Sequence, residues 1–111
     1  MAISQQSVKI FPEVLRSIAA STFTGSYQVV GGVLLYPSRI IKFTNNTAVD
    51  VTVSWDGTND HEYIPSGSFL LLDVTANREI SNIFGIAKGT QFYAKGSAST
   101  GSLYISSYYA S

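Results

Sequence analysis

Cysteine is absent from the 111 residues. That removes disulfide frameworks, thiolate catalysis, Fe–S clusters and cysteine-based zinc sites. Charge is also scarce: 13% of residues are charged, about half the share usual in a globular domain. The seven basic residues cancel the seven acidic ones, so the cationic excess that grips phosphate backbones is missing and no nucleic-acid partner is expected. No window approaches the ~18 apolar residues of a membrane-spanning helix. Residues 1–12, MAISQQSVKIFP, lack the basic leader and apolar block of a signal peptide, and no export is expected. Gly31-Gly32 is followed by neither a Gly-Lys phosphate loop nor a long helix. No Gly-x-Ser-x-Gly elbow occurs. A βαβ rhythm is missing too, which argues against a parallel nucleotide-binding sheet.

What the chain has in quantity is apolar and aromatic residues, 45% and 13%, enough to exclude disorder. A weakly charged surface at zero net charge favours association, so much of it is expected to be covered by a partner. The pattern is one of short strands between turns. Residues 49–55 alternate most clearly: Val49, Val51, Val53 and Trp55 face one way, Asp50, Thr52 and Ser54 the other. Residues 39–44 alternate as well, and Asn45-Asn46 reads as a turn joining the two into a β-hairpin. Residues 14–20, 27–30, 33–36, 61–64, 91–95 and 103–109 supply further strands. Residues 69–74, FLLLDV, read as a strand buried on both faces. The segment 96–101, GSASTG, reads as a hairpin loop, and residues 75–82 as the one place for a helical turn.

These features predict an all-β chain: a single antiparallel β-sandwich or jelly-roll-like domain over residues 13–111, with residues 1–12 as an N-terminal arm. The expected core includes Ile41, Phe43, Val51, Val53, Trp55, Leu70, Leu72, Phe92 and Ile105.

Candidate sites are few. His61 is the only histidine, flanked by Asp60 and Glu62. Neighbours on a strand point to opposite faces, so the three cannot converge, and a solvated turn histidine is the favoured reading. Asp56, Asn59 and Asp60 offer oxygens to calcium, but without the ligand series of an EF-hand; the competing reading is an Asx turn closing a hairpin. Tyr104 and Tyr108 share a strand face and Tyr109 lies on the other. Tyrosine buries area while keeping its hydroxyl bonded, so these three, with Ile10 and Phe11 of the arm, are interface candidates. No catalytic residue, cofactor or committed metal site is assigned, and the chain is expected to act by binding and not as an enzyme.

The runs Ile41-Lys42-Phe43-Thr44-Asn45-Asn46-Thr47, Val51-Thr52-Val53-Ser54-Trp55-Asp56-Gly57-Thr58-Asn59-Asp60 and Ile64-Pro65-Ser66-Gly67-Ser68-Phe69, followed by Leu72-Asp73-Val74-Thr75-Ala76-Asn77, resemble small β-rich virion proteins of tailed bacteriophages. These are framework motifs, turns and strand starts, and carry no chemistry. The resemblance implies an accessory structural protein, foremost a capsid decoration (cement) protein that binds and stabilises the head. The alternatives are a tail or connector component, or a tail-fibre module binding a carbohydrate receptor. It further implies location in the virion after synthesis in the host cytoplasm. The implied partners are the major capsid protein or other virion proteins, and sister copies, with a trimer favoured.

Overall fold

The computed structural model describes residues 9–74 and 86–110. Nine strands form there: β1 (Ile10–Pro12), β2 (Arg16–Ala19), β3 (Gln28–Val30), β4 (Ser38–Thr47), β5 (Val51–Ser54), β6 (Glu62–Ile64), β7 (Phe69–Asp73), β8 (Phe92–Lys95) and β9 (Gly101–Ala110). A 3₁₀ turn, Ala20–Thr22, follows β2. The five-stranded sheet runs β1-β9-β4-β7, with β2 also paired to β9; the four-stranded sheet runs β3-β8-β5-β6. Every pairing is antiparallel.

β1 and β2 lie end to end along one edge of β9 and count as one interrupted strand. The sheets then read first-eighth-third-sixth and second-seventh-fourth-fifth, which is a jelly roll. Its core comes from inward positions of both sheets. Ile41, Phe43, Leu103 and Ile105 on one side meet Val30, Val51, Val53, Ile64, Phe92 and Ala94 on the other, all buried. Phe43 and Phe92 meet edge to face across the sandwich at 5.5 Å, the arrangement that ring quadrupoles favour.

Of the expected core, Trp55, Leu70 and Leu72 are only partly buried and pack against the centre from its rim. Trp55 lies just past the end of β5, its ring edge-on to Phe92 at 5.8 Å. Its indole Nε1–H is buried with no acceptor among the described residues.

Four expectations are corrected. Residues 39–55 do not form a hairpin, because β4 and β5 belong to different sheets. Asn45 is the reason. It is a buried strand residue, and its amide donates to Val49 O (2.9 Å) and Ile64 O (2.8 Å). It thus ties the end of β4 to the crossover and to the other sheet. Likewise 96–101 joins β8 to β9 across the sandwich and is not a hairpin loop. Residues 33–36 form no strand. They make a loop that Leu34 anchors by burial. Finally, β7 is paired only with β4 among the described residues and alternates, leaving Phe69 and Leu71 outward. An apolar run alone does not distinguish a central strand from an edge strand with an uncovered face. The expected helical turn at 75–82 lies outside the described residues. Of the expected arm, Ile10–Pro12 is part of the five-stranded sheet.

Candidate protein interface

Between β1 and β2 the edge strand breaks at residues 13–15, and the break makes a site. Glu13 turns inward toward Arg16, its carboxylate 2.8 Å from Nη2, and both side chains are buried, 3% and 7% exposed. Burying two charges is costly unless every polar atom is satisfied. Here the guanidinium meets an acceptor in each direction. Nε donates to Gly32 O (2.8 Å), Nη1 to Ser107 Oγ (3.0 Å) and Val14 O (3.4 Å), and Nη2 to Val33 O (2.9 Å) besides Glu13. The Glu13 carboxylate in turn accepts the backbone N–H groups of Leu35 and Tyr36, each at 3.2 Å. One ion pair therefore fixes three segments: the strand break, the 31–36 loop and β9.

Arg16 lies against Gly31, whose φ is +65°; a Cβ there would sit 2.6 Å from Arg16 Cγ. Glycine is required at that point for both its left-handed backbone and its missing side chain.

Around this closed electrostatic knot the side chains are apolar and uncovered. Val14 is 84% exposed, Leu35 62% and Leu15 54%, and Val33, Tyr36, Ile10 and Phe11 are exposed as well. Of these, Val14, Leu15, Leu35 and Tyr36 line a groove of about 580 Å³, together with the rest of residues 12–17, Gly31, Gly32 and Tyr109. Tyr109 stacks on Tyr36 with ring centroids 4.0 Å apart and meets Phe11 at 5.7 Å. Burial first, then the neighbouring Tyr36, raises the Tyr109 hydroxyl above the ordinary tyrosine pKa.

Phe11 and Tyr109 thus meet at one end of the groove, whereas Ile10, opposite Ala110 in the register, alternates to the other face of β1. Tyr104 and Tyr108 do not join them. They lie half-buried on the outer face of the five-stranded sheet, opposite Thr44 and Ile40 of β4. The groove's principal residues, Val14, Leu15, Leu35 and the Glu13–Arg16 pair, are missed by sequence reasoning. The available signal is an i,i+3 ion pair enclosing Val-Leu in a chain with little charge.

The loop after β5 is organised differently. Asp56 accepts backbone N–H groups from Thr58 and Asn59, both at 2.8 Å, the Asn59 amide at 2.9 Å and the Ser54 hydroxyl at 2.9 Å. The Asn59 and Thr58 backbone donors, then the Asn59 and Ser54 side chains, hold its carboxyl far below the usual carboxylate range. Asp60 points elsewhere, accepting the Tyr27 hydroxyl and pairing with Lys95 at 3.1 Å. The hydroxyl bond, then the lysine, lowers its pKa. His61 Nδ1 accepts the Trp55 N–H at 2.9 Å, and Nε2 is 4.0 Å from Asp56. Asp56 and Asp60 are therefore each engaged by protein donors in different places, and Asn59 spends its amide N–H on Asp56. Among the described residues no group of three His, Asp or Glu side chains is placed to hold a metal ion.

Set against known protein families, curated proteins and solved structures, the chain matches none.

Proposed function

We propose that the protein is an accessory structural protein of a bacteriophage virion, a capsid decoration protein that works by binding and not by chemistry. The observation that carries the reading is the apolar groove between the 12–17 and 31–36 segments, held open by the buried Glu13–Arg16 pair. Exposed apolar patches of several hundred Å² mark association surfaces. The Glu13 and Arg16 side chains beneath this one are engaged within the chain, so they offer a partner no charge and apolar contact dominates. The resemblance of the framework motifs to those of small phage virion proteins is what suggests the virion context. The jelly roll is an architecture that capsid components use, but lectins use it too, so the fold by itself decides nothing.

The test is to add purified protein to particles of a tailed phage carrying this gene but stripped of this component. Saturable binding to heads, with density at fixed lattice positions, is the expected result. Binding confined to tails, or none, overturns it. A carbohydrate-binding role has one observation in its favour: Tyr63 stands exposed on the four-stranded sheet, its hydroxyl fixed by Asp50 at 2.5 Å. A glycan array on which Tyr63→Ala abolishes a wild-type signal is the result that would favour this role.

A further inference from the structure

The assembly reading leaves open what covers the groove. We infer that a second copy of this chain does, in a two-fold contact in which Val14 and Leu15 of each copy enter the groove of the other. This deepens the proposed function and rests on it for the premise that the groove is an interface.

Area is the first argument. From their fractional exposures, Phe11, Val14, Leu15, Val33, Leu35 and Tyr36 together offer roughly 600 Å² of largely apolar surface. A standard interface takes ~800 Å² from each partner, only a little over half of it non-polar. Two such faces, fully covered, reach the lower end of the area range of specific pairs.

Charge is the second argument. Glu13 and Arg16 neutralise each other below the surface, with their donors and acceptors engaged inside the chain. Residues 28–36 contain no charged side chain. A charged partner would find nothing to pair with and would be desolvated at a loss. A second copy presents the same neutral, apolar face, and at net charge zero no long-range repulsion opposes its approach.

Shape selects the symmetry. Val14, the most exposed side chain of the face, stands on the wall of the groove itself. In a two-fold pair each copy gives its Val14 and receives the other's at once, so the face is covered completely. A ring of three joins two different patches of each copy, whereas a two-fold pair uses one self-complementary patch.

Gly32 provides a clean probe. It lines the groove, its φ lies outside the left-handed region, and a Cβ there would meet nothing within 4 Å in its own chain. Gly32→Leu therefore adds apolar bulk at the groove wall with no clash at its Cβ, and Leu15→Glu places a charge on the exposed side.

The experiment is light scattering on the full chain across micromolar concentrations, with thermal melts of each variant. The wild type should weigh twice 12.0 kDa. Both variants should weaken the pair by roughly 30-fold or more, as expected for central contacts, while Gly32→Leu still melts cooperatively. Leu71→Glu, on the outer face of β7, should leave the mass unchanged. A wild-type monomer, a threefold mass, or a pair that survives both groove variants overturns the inference. A monomer that still decorates heads sinks the two-fold pair and spares the virion reading. A pair that never binds a particle does the reverse.

Discussion

Glu13 and Asp56 perform the same local task in opposite surroundings. Each carboxylate accepts two successive backbone N–H groups and so fixes a loop: Leu35 and Tyr36 for Glu13, Thr58 and Asn59 for Asp56. Asp56 does this in water, its side chain 45% exposed, with further help only from Ser54 and Asn59. Glu13 does it inside the protein and needs Arg16 as counter-ion. The outcomes differ accordingly. The Asp56 loop ends in a polar, solvated turn. The Glu13 loop shows solvent an apolar face, because its charges are spent inward. Low surface charge at the groove is thus produced by burying an ion pair, not only by having few charged residues.

The comparison breaks most decisively at Arg16. Arg16→Met leaves the Glu13 carboxylate buried and the carbonyls of Gly32 and Val33 without their donor. Removing one partner of a buried pair costs about 3–5 kcal/mol, a large part of a stability of ~5–15 kcal/mol. Urea denaturation should show it as a lower midpoint at unchanged slope. The double variant Glu13→Gln/Arg16→Met should lose less than the sum of the two single changes, since the pair acts as a unit. Additive losses would mean that the ion pair is not what holds the groove.

The two loops also differ in what lies against their glycines. Gly31 (φ +65°) and Gly57 (φ +81°) both hold left-handed conformations. A Cβ on Gly31 would come within 2.6 Å of Arg16 Cγ and 2.9 Å of its Cβ, whereas on Gly57 it would touch the Tyr93 ring at 3.2 Å. Backbone strain is common to both, at about 1 kcal/mol or more. The extra loss at Gly31 comes from displacing a side chain whose bonds fix three segments. Gly31→Ala should therefore lower the melting temperature clearly more than Gly57→Ala. Equal shifts would show that Arg16 yields freely.

The outline of the fold is legible in the sequence because it rests on period-two patterning. Val51, Val53, Ile41, Phe43, Phe92 and Ile105 are expected to be core and are buried. Connectivity is less legible. Asn45-Asn46 has the composition of a turn, yet Asn45 is buried inside β4, and its amide bonds join residues up to nineteen positions apart. Local propensity carries no information about such a partner. Trp55 shows the same limit: alternation places it on the inward face, but β5 ends at Ser54, and the ring comes to rest on the core's rim. The groove is the least legible feature. Val14 and Leu15 read as strand and belong to a break, and what turns the chain there is Arg16 reaching carbonyls sixteen and seventeen residues away. Of the aromatic and apolar residues picked out by composition, Phe11 and Tyr109 lie at this face; Ile10, Tyr104 and Tyr108 do not.

The smallest expected effect sharpens the solvent-exposed side of the comparison. The folded chain holds the Asp56 carboxyl below its ordinary pKa through the N–H groups of Asn59 and Thr58, then the Asn59 and Ser54 side chains. Asp50 and Asp60 are lowered as well, by Tyr63 and then Ser66, and by Tyr27 and then Lys95. A carboxyl whose pKa is depressed by folding contributes stability that is complete above its unfolded value of about 4 and is lost as pH falls through the folded value. The melting temperature should therefore hold from neutrality to about pH 5 and decline below about pH 4. Asp56→Asn should melt slightly lower than wild type at neutral pH and decline less steeply in acid, so the two curves converge as the carboxylate is protonated. If they stay parallel down to about pH 2, Asp56 titrates alike in folded and unfolded chains, and the loop is held by its backbone and Ser54 without the charge.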